Sequence, residues 1–110
     1  MVAESGGELL GFVRYECHDG AYFGRELYVR PEQRRRGIGR LLLHEVERRV
    51  RAAGEKDLFV SIVPANRVAL AFALRCGYDV LNTVELRKNL DDSLSPRSEV
   101  ECLGLHLKLI

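Results

Sequence analysis

The feature that most constrains the fold is the stretch from Leu27 to Gly54, LYVRPEQRRRGIGRLLLHEVERRVRAAG. It predicts a strand, then a turn rich in arginine and glycine, and then an amphipathic helix whose first turn contains Gly37 and Gly39. The first N–H groups of a helix have no partner within it, and glycine lets an anion approach the backbone closely. The stretch therefore predicts a phosphate-binding turn at the start of a helix.

Length and composition limit the class of protein. The chain has 110 residues, of which 46% are hydrophobic and 30% are charged, and this predicts a single domain over residues 1–110. A formal net charge of +1 argues against a protein devoted to nucleic-acid binding. The three cysteines form no CxxC pair, there is no secretory signal, and no apolar run approaches about 18 residues. We expect a cytoplasmic protein with no membrane span.

Upstream of the arginine and glycine turn, three runs predict an antiparallel meander. Val2–Ala3 ends a first strand, and Ser5–Gly7 turns the chain into a second strand over Leu9–Cys17. His18–Gly20 is the next turn, and Ala21–Arg30 is the third strand.

Downstream, apolar spacing predicts two helices and three strands. The order β-β-β-α-β-α-β-β predicts an α/β fold with a mixed α+β sheet, in which the fourth strand lies parallel to the third. Asn66 is the predicted N-cap of the second helix, and Gly77 its end. The predicted elements are a helix from about Gly39 to Ala53, a strand at Leu58–Pro64, a helix at Arg67–Cys76, and strands at Tyr78–Lys88 and Glu99–Ile110.

With these elements in place, the sequence resembles the GNAT superfamily of N-acetyltransferases. The family's acetyl-CoA motif is Arg or Gln, two residues, Gly, one residue, and Gly or Ala; Arg34, Gly37 and Gly39 match it. The family's later strand, asparagine and helix ending in Gly-Phe correspond here to VPAN, AFALRCG and Tyr78. The resemblance covers about Val2–Lys88 and implies the acyl-CoA N-acyltransferase fold, in a short form without the usual N-terminal strand and helices.

The resemblance also implies an activity, which is transfer of acetyl from CoA to a primary amine by direct attack. Backbone amides of the turn would hold the CoA pyrophosphate, the preceding strand would meet the acetyl and pantetheine arm, and the asparagine would reach the pantetheine. An N-cap role alone would also explain that asparagine. The implied cofactor-binding residues are Leu27, Tyr28, Val29, Arg34, Arg35, Arg36, Gly37, Ile38, Gly39, Arg40 and Asn66.

Catalysis needs more than cofactor binding. A lysine-like amine with a pKa of about 10.4 is neutral only about 0.04% of the time at pH 7, so it needs a base or a desolvating pocket. Glu26 is the candidate general base, and the alternative is a surface carboxylate paired with an arginine. Many family members place a tyrosine directly after the phenylalanine equivalent to Phe72, where it protonates the CoA thiolate. This chain has Ala73 there, so the acid is unassigned.

Three further expectations concern partners. No metal is expected, because His18, His44 and His106 are scattered without ligand spacing. The acceptor is an amine of a small molecule or of a protein N-terminus or lysine, and a homodimer could form if the last strand lies at a sheet edge. The main alternative function is a non-catalytic acyl-CoA-binding or regulatory module, motivated by Ala73 and the absent acceptor segment; nucleic-acid binding through Arg34–Arg36 ranks below it.

Overall fold

The computed structural model describes residues 1–93 and 98–109. The chain divides into two compact units, Met1–Ser61 and Ile62–Ile110. In the first unit, a short 3-10 turn at Pro31–Gln33 separates the third strand from the first helix. The regular elements of this unit are β1 (Val2–Ser5), β2 (Glu8–His18), β3 (Ala21–Val29), α1 (Ile38–Ala52) and β4 (Leu58–Val60).

These strands form one mixed sheet in the order β1-β2-β3-β4. The first three pair antiparallel, whereas β4 lies parallel to β3 and pairs Leu58 with Tyr22 and Val60 with Gly24. The predicted meander and the predicted parallel pairing are confirmed. The fourth strand is shorter than predicted, since its pairing with β3 ends at Val60. The mixed α/β fold class is confirmed as well.

Left-handed backbone conformations close both hairpins of the meander. Gly6 and Gly7 have φ values of 57° and 81°, and Asp19 and Gly20 have values of 50° and 82°. Two successive residues with positive φ are the requirement of the tight turn whose twist matches that of paired strands. Glycine and aspartate reach this conformation at low cost, so the local sequence specifies both turns.

Helix α1 packs against one face of the sheet and forms the core of the first unit. Leu42, Val46 and Val50 recur at helical spacing and are buried against Val13 of β2. Each such side chain contributes about 1.5–3 kcal/mol when it is fully buried. The predicted helix is confirmed with its start one residue earlier, at Ile38.

A β-bulge interrupts the pairing of β2 with β3. Arg14 lies opposite Glu26, but the next residue, Tyr15, lies opposite Gly24, so Arg25 is an extra residue in β3. A bulge of this kind bends the strand and redirects side chains. Here Arg25 and Glu26 both form ion pairs with side chains of β2 on the same face of the sheet.

The second unit contains helix α2 (Arg67–Arg75) and the strands β5 (Ser98–Cys102) and β6 (Leu105–Leu109). The Asn66 side chain accepts a hydrogen bond from the Ala69 N–H at 3.1 Å, which confirms the predicted N-cap. Gly77 has a φ of 94° directly after the helix. Within the two described ranges, no helix has both the length and the apolar character that crossing a membrane requires.

The two strands predicted nearest the C-terminus need correction. The structure shows no strand at Tyr78–Lys88, because no described strand pairs with this segment; Val80 is 86% exposed and Leu86 is 71% exposed. The strand predicted at Glu99–Ile110 is instead the hairpin of β5 and β6. Leu103 and Gly104 have φ values of 55° and 78° and form its turn, so Leu103 does not belong to the row that Leu105, Leu107 and Leu109 form on one face of β6. Residues 94–97, between the two predicted strands, and Ile110, at the end of the second, lie outside the described residues.

Candidate active site

The free edge of β3 forms the first part of the candidate site. Pairing with β4 stops at Gly24, and in the described part of the chain the later residues of β3 have no strand partner on that side. The Arg30 N–H donates to the Leu10 carbonyl at 2.8 Å, which fixes the alternation of hydrogen bonds toward β2. By this alternation, Leu27 and Val29 direct their backbone N–H and C=O groups away from β2, toward the free edge.

The arginine and glycine turn follows directly. Arg34 donates from Nε to the Val29 carbonyl at 2.9 Å, and Arg36 donates from Nη1 to Gln33 Oε1 at 3.4 Å. Arg35 has a φ of 65° and Gly37 a φ of 81°. Because a left-handed conformation costs a non-glycine residue roughly 1–2 kcal/mol, its presence at Arg35 points to a turn whose shape serves a function.

The start of α1 provides unpaired amides at the end of this turn. Gly37 is the N-cap, and the first hydrogen bond of the helix runs from the Leu41 N–H to the Gly37 carbonyl at 3.0 Å. The amides of Ile38 and Gly39 therefore have no acceptor within the helix. No acidic residue lies in the first turn of α1. Together with the positive end of the helix dipole, this arrangement suits a phosphate group.

Glu26 lies on the exposed face of the sheet. Its side chain is 55% exposed, and its Oε1 accepts a hydrogen bond from Arg14 Nε at 3.1 Å. Glu26 is therefore a surface carboxylate paired with an arginine, which is the alternative that the sequence analysis gave to a general base. A base role for Glu26 therefore remains a hypothesis for experiment.

A cluster around Glu16 was not identified from the sequence. The Glu16 carboxylate is hydrogen-bonded to His18 Nε2 at 2.8 Å, accepts from Arg25 Nε at 3.2 Å, and also accepts from Arg14. The hydrogen bond with His18, helped by those with Arg25 and Arg14, holds the pKa of the Glu16 carboxyl below its usual 4.5. The alternate spacing of Arg14, Glu16 and His18 places them on one face of β2 and could have identified part of the cluster.

The remaining predicted site residues divide between the two units. Tyr28 belongs to the first unit, is 40% exposed, and has its ring centroid 5.6 Å from that of Phe12. Asn66 belongs to the second unit, where it caps α2. Ala73 is buried in α2 and has no group that could donate a proton to a thiolate.

A separate hollow of about 310 Å³ lies on the β1 side of β2, across that strand from the free edge of β3. Its lining residues are Met1, Val2, Phe12, Val13, Arg14 and Tyr15.

These features define an α/β protein with an anion-binding turn between a strand of a mixed sheet and the following helix. The sequence profile described as the acetyltransferase (GNAT) family matches residues 1–78. The chain therefore belongs to the GNAT acetyltransferase family.

Solved structures agree with this fold. The PaiA N-acetyltransferase from Thermoplasma acidophilum, in complex with coenzyme A, matches with a TM-score of 0.70 and 25% identity over 76% of this chain and 52% of that one. AAC(6')-Iy with the bisubstrate analogue CoA-S-monomethyl-acetylneamine matches with a TM-score of 0.69 and 20% identity over 80% and 66%. An aminoglycoside acetyltransferase from an uncultured soil metagenomic sample matches with a TM-score of 0.66 and 18% identity over 82% and 64%. The chain thus spans about half to two thirds of the length of these proteins.

Proposed function

We propose that this protein is an acetyl-CoA-dependent N-acetyltransferase that transfers the acetyl group from CoA to a primary amine by direct attack. The observation that carries the proposal is the turn at Arg34–Gly37, which leads to the open N-terminus of α1 beside the free edge of β3. Membership of the GNAT family supports it. The coenzyme A in the PaiA complex supports CoA as the acetyl carrier.

In the proposed complex, the backbone amides from Arg35 to Arg40 hold the CoA pyrophosphate. A hydrogen bond to a charged acceptor contributes about 1.5–3 kcal/mol, so several converging amides outweigh any single side chain. The hydrogen bonds of Arg34 and Arg36 within the turn support this interpretation, because they hold the turn in shape. Tyr28 is the further cofactor-binding residue that the proposal places in β3.

The thioester lies at the free edge of β3 in this proposal. Backbone groups of Leu27 and Val29 face that edge, and an N–H there would polarise the thioester carbonyl as the amine attacks. Holding the amine and the thioester together supplies a further part of the rate increase. The amine loses a proton to Glu26, directly or through water, and the acid that protonates the CoA thiolate is unassigned.

The proposal extends to the whole chain. Residues 1–110 act as a single GNAT-like domain in the cytoplasm, and two copies associate as a homodimer. Three free cysteines are in keeping with a reducing compartment. Among the described residues, the hairpin of β5 and β6 pairs with no other strand, so its edges could pair with a second copy. Light scattering on the full chain in solution measures the oligomeric state. A mass of 12.5 kDa at all concentrations would reject the dimer.

A second candidate function is a non-catalytic acyl-CoA-binding module. Two observations favour it, which are Ala73 at the position of the family's tyrosine and the pairing of Glu26 with Arg14. Both candidates bind CoA, so only turnover separates them.

Calorimetry with CoA and a transfer assay test the proposal in sequence. No binding at millimolar CoA would reject both candidate functions. Acetyl transfer to a panel of amines then separates enzyme from binder, and Glu26→Gln is expected to lower kcat by roughly 10²–10⁴-fold if Glu26 is the base. Glu4→Gln, which changes an exposed carboxylate of β1, is the matched control. A wild-type rate in the Glu26 variant would reject the base role, and CoA binding without transfer to any amine would favour the binding module.

A further inference from the structure

The acceptor amine can reach the proposed thioester position only over a face of the sheet that is not covered. One face is covered by α1, where Val13 is buried under Leu42 and Val46. An amine must come within about 3–3.5 Å of the carbon that it attacks. Because α1 covers one side of β3, the route that the first unit leaves open crosses the face that carries Glu26.

Two carboxylates on this face, Glu16 and Glu26, are already paired with cations. Arg14 bridges them, since its Nε donates to Glu26 at 3.1 Å and its Nη1 donates to Glu16. Glu16 is also held by Arg25 at 3.2 Å and by His18 at 2.8 Å. Two carboxylates thus face two permanent cations.

The cations of this cluster are held in place. The Arg25 guanidinium lies 4.9 Å above the ring centroid of Phe23, in a cation–π contact, while it donates to Glu16. Arg14 has donors committed to two carboxylates at once, which limits the geometries it can adopt. An incoming ammonium group would have to displace one of these guanidinium groups from its carboxylate.

We infer that the acceptor carries its amine on a neutral or acidic body with no further cationic group, and that polyamines and other polycations are poor acceptors. This inference rests on the proposed function, for which it names the acceptor class. A second ammonium finds no uncompensated carboxylate in the cluster and is repelled by Arg14 and Arg25. The ring of Phe12, on the same face of β2 as Arg14, offers an apolar surface for an uncharged body.

A matched pair of acceptors tests the inference. Hexylamine and 1,6-diaminohexane have the same carbon chain and differ by one ammonium group. Wild-type protein is expected to have the higher kcat/KM with hexylamine, after correction for the two equivalent amines of the diamine. Arg14→Gln releases Glu16 and Glu26, and it is expected to raise the ratio of kcat/KM for diamine over monoamine by about two- to fivefold, the scale of exposed ion pairs.

The ratio isolates charge selectivity from other effects of the variant. Any change in the basicity of Glu26 acts on both amines and cancels. Arg51→Gln removes the same charge from the exposed last turn of α1 and should leave the ratio unchanged. A wild-type preference for the diamine, or an Arg14→Gln ratio equal to that of wild type, would overturn the inference.

A measurement of spermine binding tests the inference even if the protein acetylates no amine. Should CoA bind and no amine be acetylated, the proposed function fails, and calorimetry of spermine with CoA-loaded protein then tests the charge argument alone. Spermine should bind Arg14→Gln about two- to fivefold more tightly than wild type. Equal affinity for the two proteins would overturn the inference.

Discussion

Replacing Gly37 by valine tests the anion-binding turn. Gly37 has a φ of 81°, and a Cβ placed there meets no atom within 4 Å, so the cost of a side chain is conformational rather than steric. That cost is roughly 1–2 kcal/mol for an L-residue in the left-handed region. Relief of this strain rotates the adjoining peptide groups and turns their amides away from a bound phosphate. Loss of two hydrogen bonds of about 1.5–3 kcal/mol each weakens CoA binding by on the order of 10²–10⁴-fold.

Gly7→Val is the matched control for Gly37→Val. Gly7 also has a φ of 81° and open space where a side chain would extend, but it lies in the turn between β1 and β2. Urea unfolding should show a similar loss of stability in both variants, whereas calorimetry should show weaker CoA binding only for Gly37→Val. Near wild-type affinity in the Gly37 variant, or an equal loss of affinity in the Gly7 variant, would refute the reasoning.

Three further predictions concern the pairing of β2 with β3, the hairpin of β5 and β6, and the cluster around Glu16. Gly11→Ala places a Cβ 2.5 Å from the Tyr28 carbonyl oxygen, so it should lower the free energy of unfolding by about 1–3 kcal/mol in urea; an unchanged value would contradict the β2–β3 register. Leu103→Asn relieves a left-handed leucine and should stabilise the hairpin by up to about 1 kcal/mol, seen as slower amide exchange in β5 and β6; unchanged exchange would contradict the turn. The pKa of Glu16, followed by carbon NMR, should lie below 4.5 in wild type and rise toward 4.5 in His18→Gln. Because this pKa is lowered in the folded state, the stability it contributes is present above pH 4.5 and is lost as pH falls through the lowered pKa; equal pKa values in the two proteins would contradict the role of His18.

Short-range sequence patterns were sufficient to predict the two helices. The apolar spacing of Leu42, Val46 and Val50 predicted α1 and its buried face. Asn66 predicted the start of α2, because an N-cap acts within three residues of itself. Each of these features depends on neighbours close in the chain.

The parallel pairing of β4 with β3 was predicted, but other features that depend on distant pairing were not. Alternation at Tyr78–Lys88 suggested a strand, but a strand also needs a hydrogen-bonded partner, and the sequence does not identify one. Leu103 is an unfavourable turn residue, so the hairpin turn before Leu105 was missed. The pairing of Glu26 with Arg14 follows from the register across the bulge at Arg25, which no local pattern marks.

The central claim is that the amides at the start of α1 hold the CoA pyrophosphate. Amide NMR of the full chain tests it directly when titration with CoA is compared with titration by pantetheine, which lacks the pyrophosphate. We predict that CoA shifts the amide resonances of Gly37, Ile38 and Gly39 most strongly and that pantetheine leaves them nearly unchanged. Saturable CoA binding with no shift at these amides, or equal shifts with pantetheine, would contradict the account.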